Sequence, residues 1–300
     1  MKILGQEKIA LVTGGNSGIG LEIAKGLARN NCHVIIQGRD EVKGEKAKKK
    51  ILEVSNNGKV ELMLADFSTI AGVKKFICDF KAKYEKLHIL MNNAGLQKVK
   101  RHINEDGIEL TFMVNYLSQV ILTLELYDLL QSSATKDNPS RIVFTSSFYH
   151  DRLKINIDDI NCEKIRYNGM NVYKNTKLFQ IMFTYYYTKE LKDNLVTLNV
   201  YDPGYAETDL PRDSNVYVFL SKVYLGIILN KTPQEAAQTG IYLALAKDVA
   251  KISGYYFQDK QIVESSELSY DKELQEKLWK ITEEKINGQE RKIKNELSHI

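Results

Sequence analysis

The chain has 300 residues, 43% of them hydrophobic, which is enough for one large α/β domain or two small ones. Its formal charge of +4 comes from 42 Lys and Arg against 38 Asp and Glu, spread along the chain rather than gathered in a basic block, and this argues against a nucleic-acid binder. Cys32, Cys78 and Cys162 have neither CxxC nor metal-ligand spacing, so reduced thiols in a cytoplasmic protein are expected and no metal site.

The segment before the first strand reads as too short and too polar for a signal peptide or anchor. Ile9–Val12 is a continuous apolar run, as in a strand buried on both faces. Beyond Gly20, Leu21, Ile23, Ala24, Leu27 and Ala28 repeat with helical period. Val34–Ile36 is the second strand, Asp40–Ile51 a Lys/Glu-rich helix, and Leu62–Ala65 a third strand ending at Asp66. A helix over Val73–Tyr84 leads to a fourth strand, Ile89–Met91, which ends in Asn92-Asn93-Ala94-Gly95. One long helix is predicted over Ile108–Leu130, a fifth strand over Ile142–Phe144, a helix over Val172–Leu191 and a sixth strand over Val196–Val200. Strands alternating with long helices imply parallel crossovers and a doubly wound α/β sheet, a Rossmann fold. With four prolines and no linker composition, a single catalytic domain is expected over residues 1–265, followed by an amphipathic helix and a mobile charged tail from Asn287 within 266–300. An apolar insertion at about 211–231 is read as a substrate lid or a packed helix. Its stretch Val216–Leu229 spans about 14 residues where a bilayer needs roughly 20, so it could at most lie on a lipid surface.

Thr13 to Gly20 closes the first strand and opens a helix. Gly14 permits a tight turn, Gly18 and Gly20 let backbone approach a pyrophosphate, and the helix N-terminus supplies amide donors. The expected phosphate contacts are Gly14, Asn16, Ser17, Gly18, Ile19 and Gly20. The second strand ends in Gln37-Gly38-Arg39 where an acidic residue would select a ribose hydroxyl. Glycine makes room and Arg39 can meet a 2′-phosphate, so NADP is favoured over NAD. Asp66 is placed to accept from the adenine amino group, with Phe67 beside it.

Tyr-x-x-x-Lys occurs at Tyr173/Lys177, Tyr185/Lys189 and Tyr256/Lys260. Only the first lies where its helix starts, beside the C-terminal end of the fifth strand, and residues i and i+4 share a helical face. A free phenol has a pKa of about 10, and Lys177 with a nicotinamide's positive charge is expected to lower it for proton exchange. Ser147, with Ser146 as the alternate, would hold the substrate oxygen. Asn115 could hold a water that relays protons through Lys177. His150 is expected on the surface rather than against substrate.

These residues resemble the short-chain dehydrogenase/reductase family, through Thr13–Gly20, Asp66, Asn92–Gly95, Asn115, Ser147, Tyr173/Lys177 and Pro203-Gly204 with Thr208. The resemblance implies catalytic roles for Asn115, Ser147, Tyr173 and Lys177. It also implies cofactor contacts from Asn93, Ala94 and Gly95, and Pro203, Gly204 and Thr208 at the nicotinamide end. Arg141–Val143 with Ser146-Ser147, Lys231–Thr239 and Ser253–Phe257 look like the retinol dehydrogenase-like subgroup. Asp202 stands where His or Asn is commoner, and Ser118-Gln119 replaces a commoner Gly-His. The expectation is an NADP-dependent oxidoreductase acting on an apolar alcohol or carbonyl substrate, retinoid-, steroid- or lipid-aldehyde-like. The alternative is a catalytically silent NADP-binding regulator. Pairing as a homodimer through the helices of Asn115 and Tyr173 is also implied by the resemblance.

Overall fold

A computed structural model describes residues 7–151, 155–191, 195–205 and 231–297, with side chains to residue 288. Thr208, the stretch 216–229 and all of the expected lid except Lys231 lie outside the described residues.

An uninterrupted apolar strand needs cover on both faces. β1 (Ile9–Thr13) has it: Ala10, Leu11 and Val12 have no exposed surface. Leu11 lies opposite Ile35 of β2 (His33–Gly38) and Leu90 of β4 (Ile89–Asn92), both strands parallel to β1. With β3 (Val60–Leu64), β5 (Ser140–Thr145), β6 (Val196–Asp202), β7 (Tyr256–Gln258) and β8 (Gln261–Ile262), the sheet order is β3-β2-β1-β4-β5-β6-β7-β8. The order reverses between β1 and β4, and the crevice at the C-terminal ends of the strands opens there. Among the described strands of this sheet, β7–β8 is the one antiparallel pair. Its two-residue turn, Asp259-Lys260, takes positive φ at both positions (49° and 66°). Such turns usually announce themselves by Asn-Gly or Asp-Gly, and without that signal β8 was not predicted.

The helices cover both faces. α1 (Gly18–Arg29) and α2 (Glu41–Leu52) place Ile23, Leu27, Ala47 and Ile51 in a core with Val12, Val34 and Ile36. Against the other face lie α3 (Ile70–Lys83) and a helical run from Leu110 to Ser133. That run, expected as one helix, has four parts: α4 (Leu110–Phe112), a π turn (Met113–Leu117), α5 (Ser118–Glu125) and α6 (Tyr127–Ser133). Ser118 Oγ bonds back to the Val114 carbonyl at 2.8 Å, a side-chain competitor for the backbone ladder. Leu126, at φ −99° and ψ 4°, separates α5 from α6.

α7 (Gly169–Tyr187) carries Tyr173 and packs Phe179 and Phe183 into the same core as Phe112, Tyr116 and Phe144. α8 (Pro233–Leu245) starts on a full capping box, Thr232 with Glu235, and Pro233. α9 (Lys272–Leu297) runs past Asn287, where the charge pattern had suggested a tail. It lies across α7 and the π turn: Trp279 stacks on Phe183 and Tyr186, and the Tyr116 and Thr282 hydroxyls meet at 3.0 Å. Among the described residues no helix is long and apolar enough to cross a membrane.

Candidate active site

Two loops are stitched together in the crevice. Thr13, fully buried at the end of β1, donates through Oγ1 to the Met91 carbonyl (3.2 Å). The same oxygen accepts the N–H groups of Asn93 (2.9 Å) and Ala94 (3.0 Å). Asn93 returns its side-chain amide to the Thr13 carbonyl at 3.1 Å. Gln37 ties in the next two strands, donating to the Ala65 carbonyl (2.8 Å) and accepting the Gly14 N–H (3.1 Å). Gly95 stands next in line, with Asn115 Oδ1 3.5 Å from where its Cβ would be. Sequence reading assigned no role to Gln37. A buried amide at a strand end was the available signal.

The turn that follows needs its glycines. Gly14 has φ +63°, and a Cβ on Gly20 would lie 2.3 Å from the Gly14 carbonyl oxygen. Ser17 is the extended N-cap of α1, makes no side-chain cap bond, and no acidic residue occupies the first turn. The amides of Gly18, Ile19 and Gly20 and the positive dipole end therefore suit an anion. Gly38 is corrected in one respect. The room it makes is occupied by Asn16, whose Nδ2 would be 2.8 Å from a Cβ at 38. Arg39 beside it is exposed. Asp66 is exposed too and accepts the Ser68 N–H at 3.0 Å. Phe67 is buried, its ring edge-on to Phe76 at 5.4 Å, so only its backbone can face a nucleotide.

Beyond β5 the two serines separate, because side chains alternate along a strand. Ser146 turns its hydroxyl to the Lys177 carbonyl (2.9 Å). Ser147 stands near enough to the Tyr173 phenol for its hydroxyl to lower the phenol's pKa, and it accepts the Tyr149 N–H at 3.3 Å. Lys177, buried, has its ammonium 5.5 Å from the centre of the Tyr173 ring and donates to the Thr145 carbonyl at 2.7 Å. Burial pulls the Lys177 pKa down to about 7. Burial pushes the Tyr173 phenol above its ordinary value, the Ser147 hydroxyl pulls it down, and the Asp202 carboxylate and Tyr149 push it up. Burial outweighs the lowering groups, so without a nicotinamide's charge the phenol lies above its ordinary value rather than below it.

Asn115 sits in the π turn, fully buried, but not as a free water holder. Its side chain accepts the Leu96 N–H and donates to the Leu96 carbonyl, each at 2.8 Å, and also reaches Thr176 Oγ1 at 3.2 Å. Its carbonyl accepts Gln180 Nε2 at 2.8 Å. His150, expected on the surface, is buried instead. Its Nδ1 lies 2.7 Å from the Ser147 carbonyl and its Nε2 accepts the Ser266 N–H at 3.1 Å, so the ring is the neutral Nδ1–H form and braces the serine turn against the C-terminal segment. Asp202 is buried beside the same turn. It accepts the Gly204 N–H (2.8 Å) and Gln258 Nε2 (3.3 Å), and burial raises its pKa. Gly204, next but one in the chain, takes φ +78°.

A phosphate-suited turn thus lies in the same crevice as a Ser–Tyr–Lys group. The family model described as short chain dehydrogenase matches residues 8–216. The chain belongs to the short-chain dehydrogenase family. Polyprenol dehydrogenase of Danio rerio is 38% identical over 275 residues, covering 91% of this chain and 85% of that protein. Retinol dehydrogenase 11 of Mus musculus is 36% identical, covering 92% and 85%. Among solved structures, an uncharacterized protein from Mycobacterium paratuberculosis superposes with a TM-score of 0.72 at 25% identity, covering 94% of each chain. The Pseudomonas aeruginosa RhlG/NADP complex shares the fold, at TM-score 0.67 and 24% identity, covering 83% of this chain and 93% of that one. This short-chain dehydrogenase is an NAD(P)-dependent oxidoreductase of the retinol dehydrogenase-like group.

Proposed function

We propose that this enzyme interconverts an apolar alcohol and its aldehyde or ketone, prefers NADP(H), and uses Tyr173 as its proton donor and acceptor. The observation that carries this reading is the Tyr173 ring with the Lys177 ammonium 5.5 Å from its centre and the Ser147 hydroxyl acting on its phenol, in the crevice that holds the Thr13–Gly20 turn. The donor set fits a dinucleotide: α1 offers first-turn amides, Ala94 and Gly95 border the crevice, and exposed Arg39 stands where an adenosine 2′-phosphate would need a planar cation. When bound, the nicotinamide supplies or takes up hydride and adds positive charge beside the phenol.

This chain's residues do the rest. Ser147 holds the substrate oxygen. In reduction Tyr173 gives that oxygen the proton that completes the alcohol, and in oxidation phenolate removes it. A protonated Lys177 favours phenolate. The preference for an apolar substrate is supported by the rings of Phe148 and Tyr149, packed at 4.2 Å next to Ser147, with Tyr205 6.5 Å from Phe148. Val99 and Met170, 41% and 39% exposed, add apolar surface near the first turn of α7. The names of its relatives, polyprenol and retinol dehydrogenases, point to the same class of alcohol.

Turnover of apolar aldehydes and ketones by purified protein with NADPH and with NADH tests this. Faster turnover with NADPH is expected, with Tyr173→Phe losing roughly 10²–10⁴-fold. Tight NADPH binding without turnover, unchanged by that substitution, would favour the silent regulator. Arg39→Ala should weaken NADPH binding about 10–100-fold, the worth of a charge-assisted bidentate contact, and leave NADH binding nearly unaltered.

A further inference from the structure

The carbonyl of Asn115, the residue expected to hold a relay water, accepts a side chain. Gln180 lies three residues beyond Lys177 on the same face of α7. It has no exposed surface, and neither does Gln119. Gln180 Nε2 donates to the Asn115 carbonyl (2.8 Å) and to Gln119 Oε1 (2.6 Å). Gln180 Oε1 accepts from Lys177 Nζ at 3.4 Å. Gln119 Nε2 in turn donates to the Ala94 carbonyl.

These partners fix the direction of both amides. A carbonyl only accepts and an ammonium only donates, so neither glutamine can flip without placing like against like at both ends. The result is a one-way chain of donors, from Lys177 through Gln180 and Gln119 to Ala94 in the β4 loop. Such chains polarise and strengthen each link. The π turn helps build it, because it disturbs the regular ladder around the Asn115 carbonyl. Gln119 is one of the departures from the commoner family pattern, and the chain gives it a partner.

We propose that Gln180 is a positioning residue for Lys177: its amide, anchored on the Asn115 carbonyl, holds the lysine under Tyr173 and favours the lysine's charged form. The proposal rests on the Tyr173/Lys177 reading above. Few other groups face the ammonium. β5 offers the Thr145 carbonyl, α7 offers Tyr173 and Gln180, and among the described residues no carboxylate pairs with it. Burial already pulls Lys177 down to about 7, so the loss of one acceptor changes its charge near neutrality. An amide cannot pass a proton on by ionising, so Gln180 acts on where the lysine sits and how it is charged.

The test is the pH dependence of kcat for alcohol oxidation by the holoenzyme with NADP, in wild type, Gln180→Met and Gln180→Glu. In Gln180→Met the lysine loses its proton more readily and phenolate is less favoured. The midpoint should move up by about one pH unit and kcat at neutral pH fall about ten-fold, with KM and NADPH binding within two-fold. Gln180→Glu sets a carboxylate beside the ammonium and should move the midpoint less, or the opposite way. Should Gln180→Met fail to fold, Gln119→Met, one link away, is expected to give the same sign with a smaller shift. A wild-type enzyme that turns over, with variant profiles superimposable on its own or with kcat and KM falling together, would overturn this inference alone. A wild type with no turnover would overturn the functional reading and this inference with it.

Discussion

Single residues decide the chemistry here, and Asp202 shows how a departure from the family pattern acts. Its carboxylate, buried behind the Ser147–Phe148 peptide, disfavours negative charge on Tyr173. Removing that charge in Asp202→Asn should lower the phenol's pKa, so the pH midpoint for alcohol oxidation should fall; a profile that stays in place would refute the assignment. His150 has the opposite sensitivity. Its neutral ring is bound on both nitrogens and its folded pKa is depressed, so its bracing is complete above the unfolded value of about 6.5 and is lost as pH falls below it. Part of this was legible in the sequence. Tyr173, Lys177 and Ser147 follow from spacing and strand ends. Gln37, Gln180 and His150 did not, because their roles depend on partners 28, 65 and 116 positions away in the chain.

At the scale of elements, buried strands are legible in the sequence and broken helices are not. Apolar runs located β1, β2, β4, β5 and β6 to within one or two residues. The run from Leu110 to Ser133 was not separable into α4, π turn, α5 and α6, because hydrophobic period changes little when one residue is inserted into a turn. α8 starts on a capping box whose worth can be weighed. Thr232→Ala should cost about 1 kcal/mol of stability, seen as a lower denaturant midpoint at unchanged slope, with no loss of nucleotide affinity.

The whole molecule is a sheet with two cores and one long helix laid over the second. α9 covers aromatic surface from Tyr116, Phe183, Tyr186 and Tyr187. A protein ending after Tyr270 should expose that surface and associate or unfold at a lower temperature. The amphipathic pattern at Leu274, Leu278 and Ile281 showed that this helix docks, but where it docks is set by tertiary packing.

That covering helix also has a genetic consequence. When copies do not share the α7 face, an inactive copy has no route through it to disturb an active neighbour. A cell making Tyr173→Phe enzyme alongside the normal one should then show the plain sum of the two activities, so defects would behave as recessive.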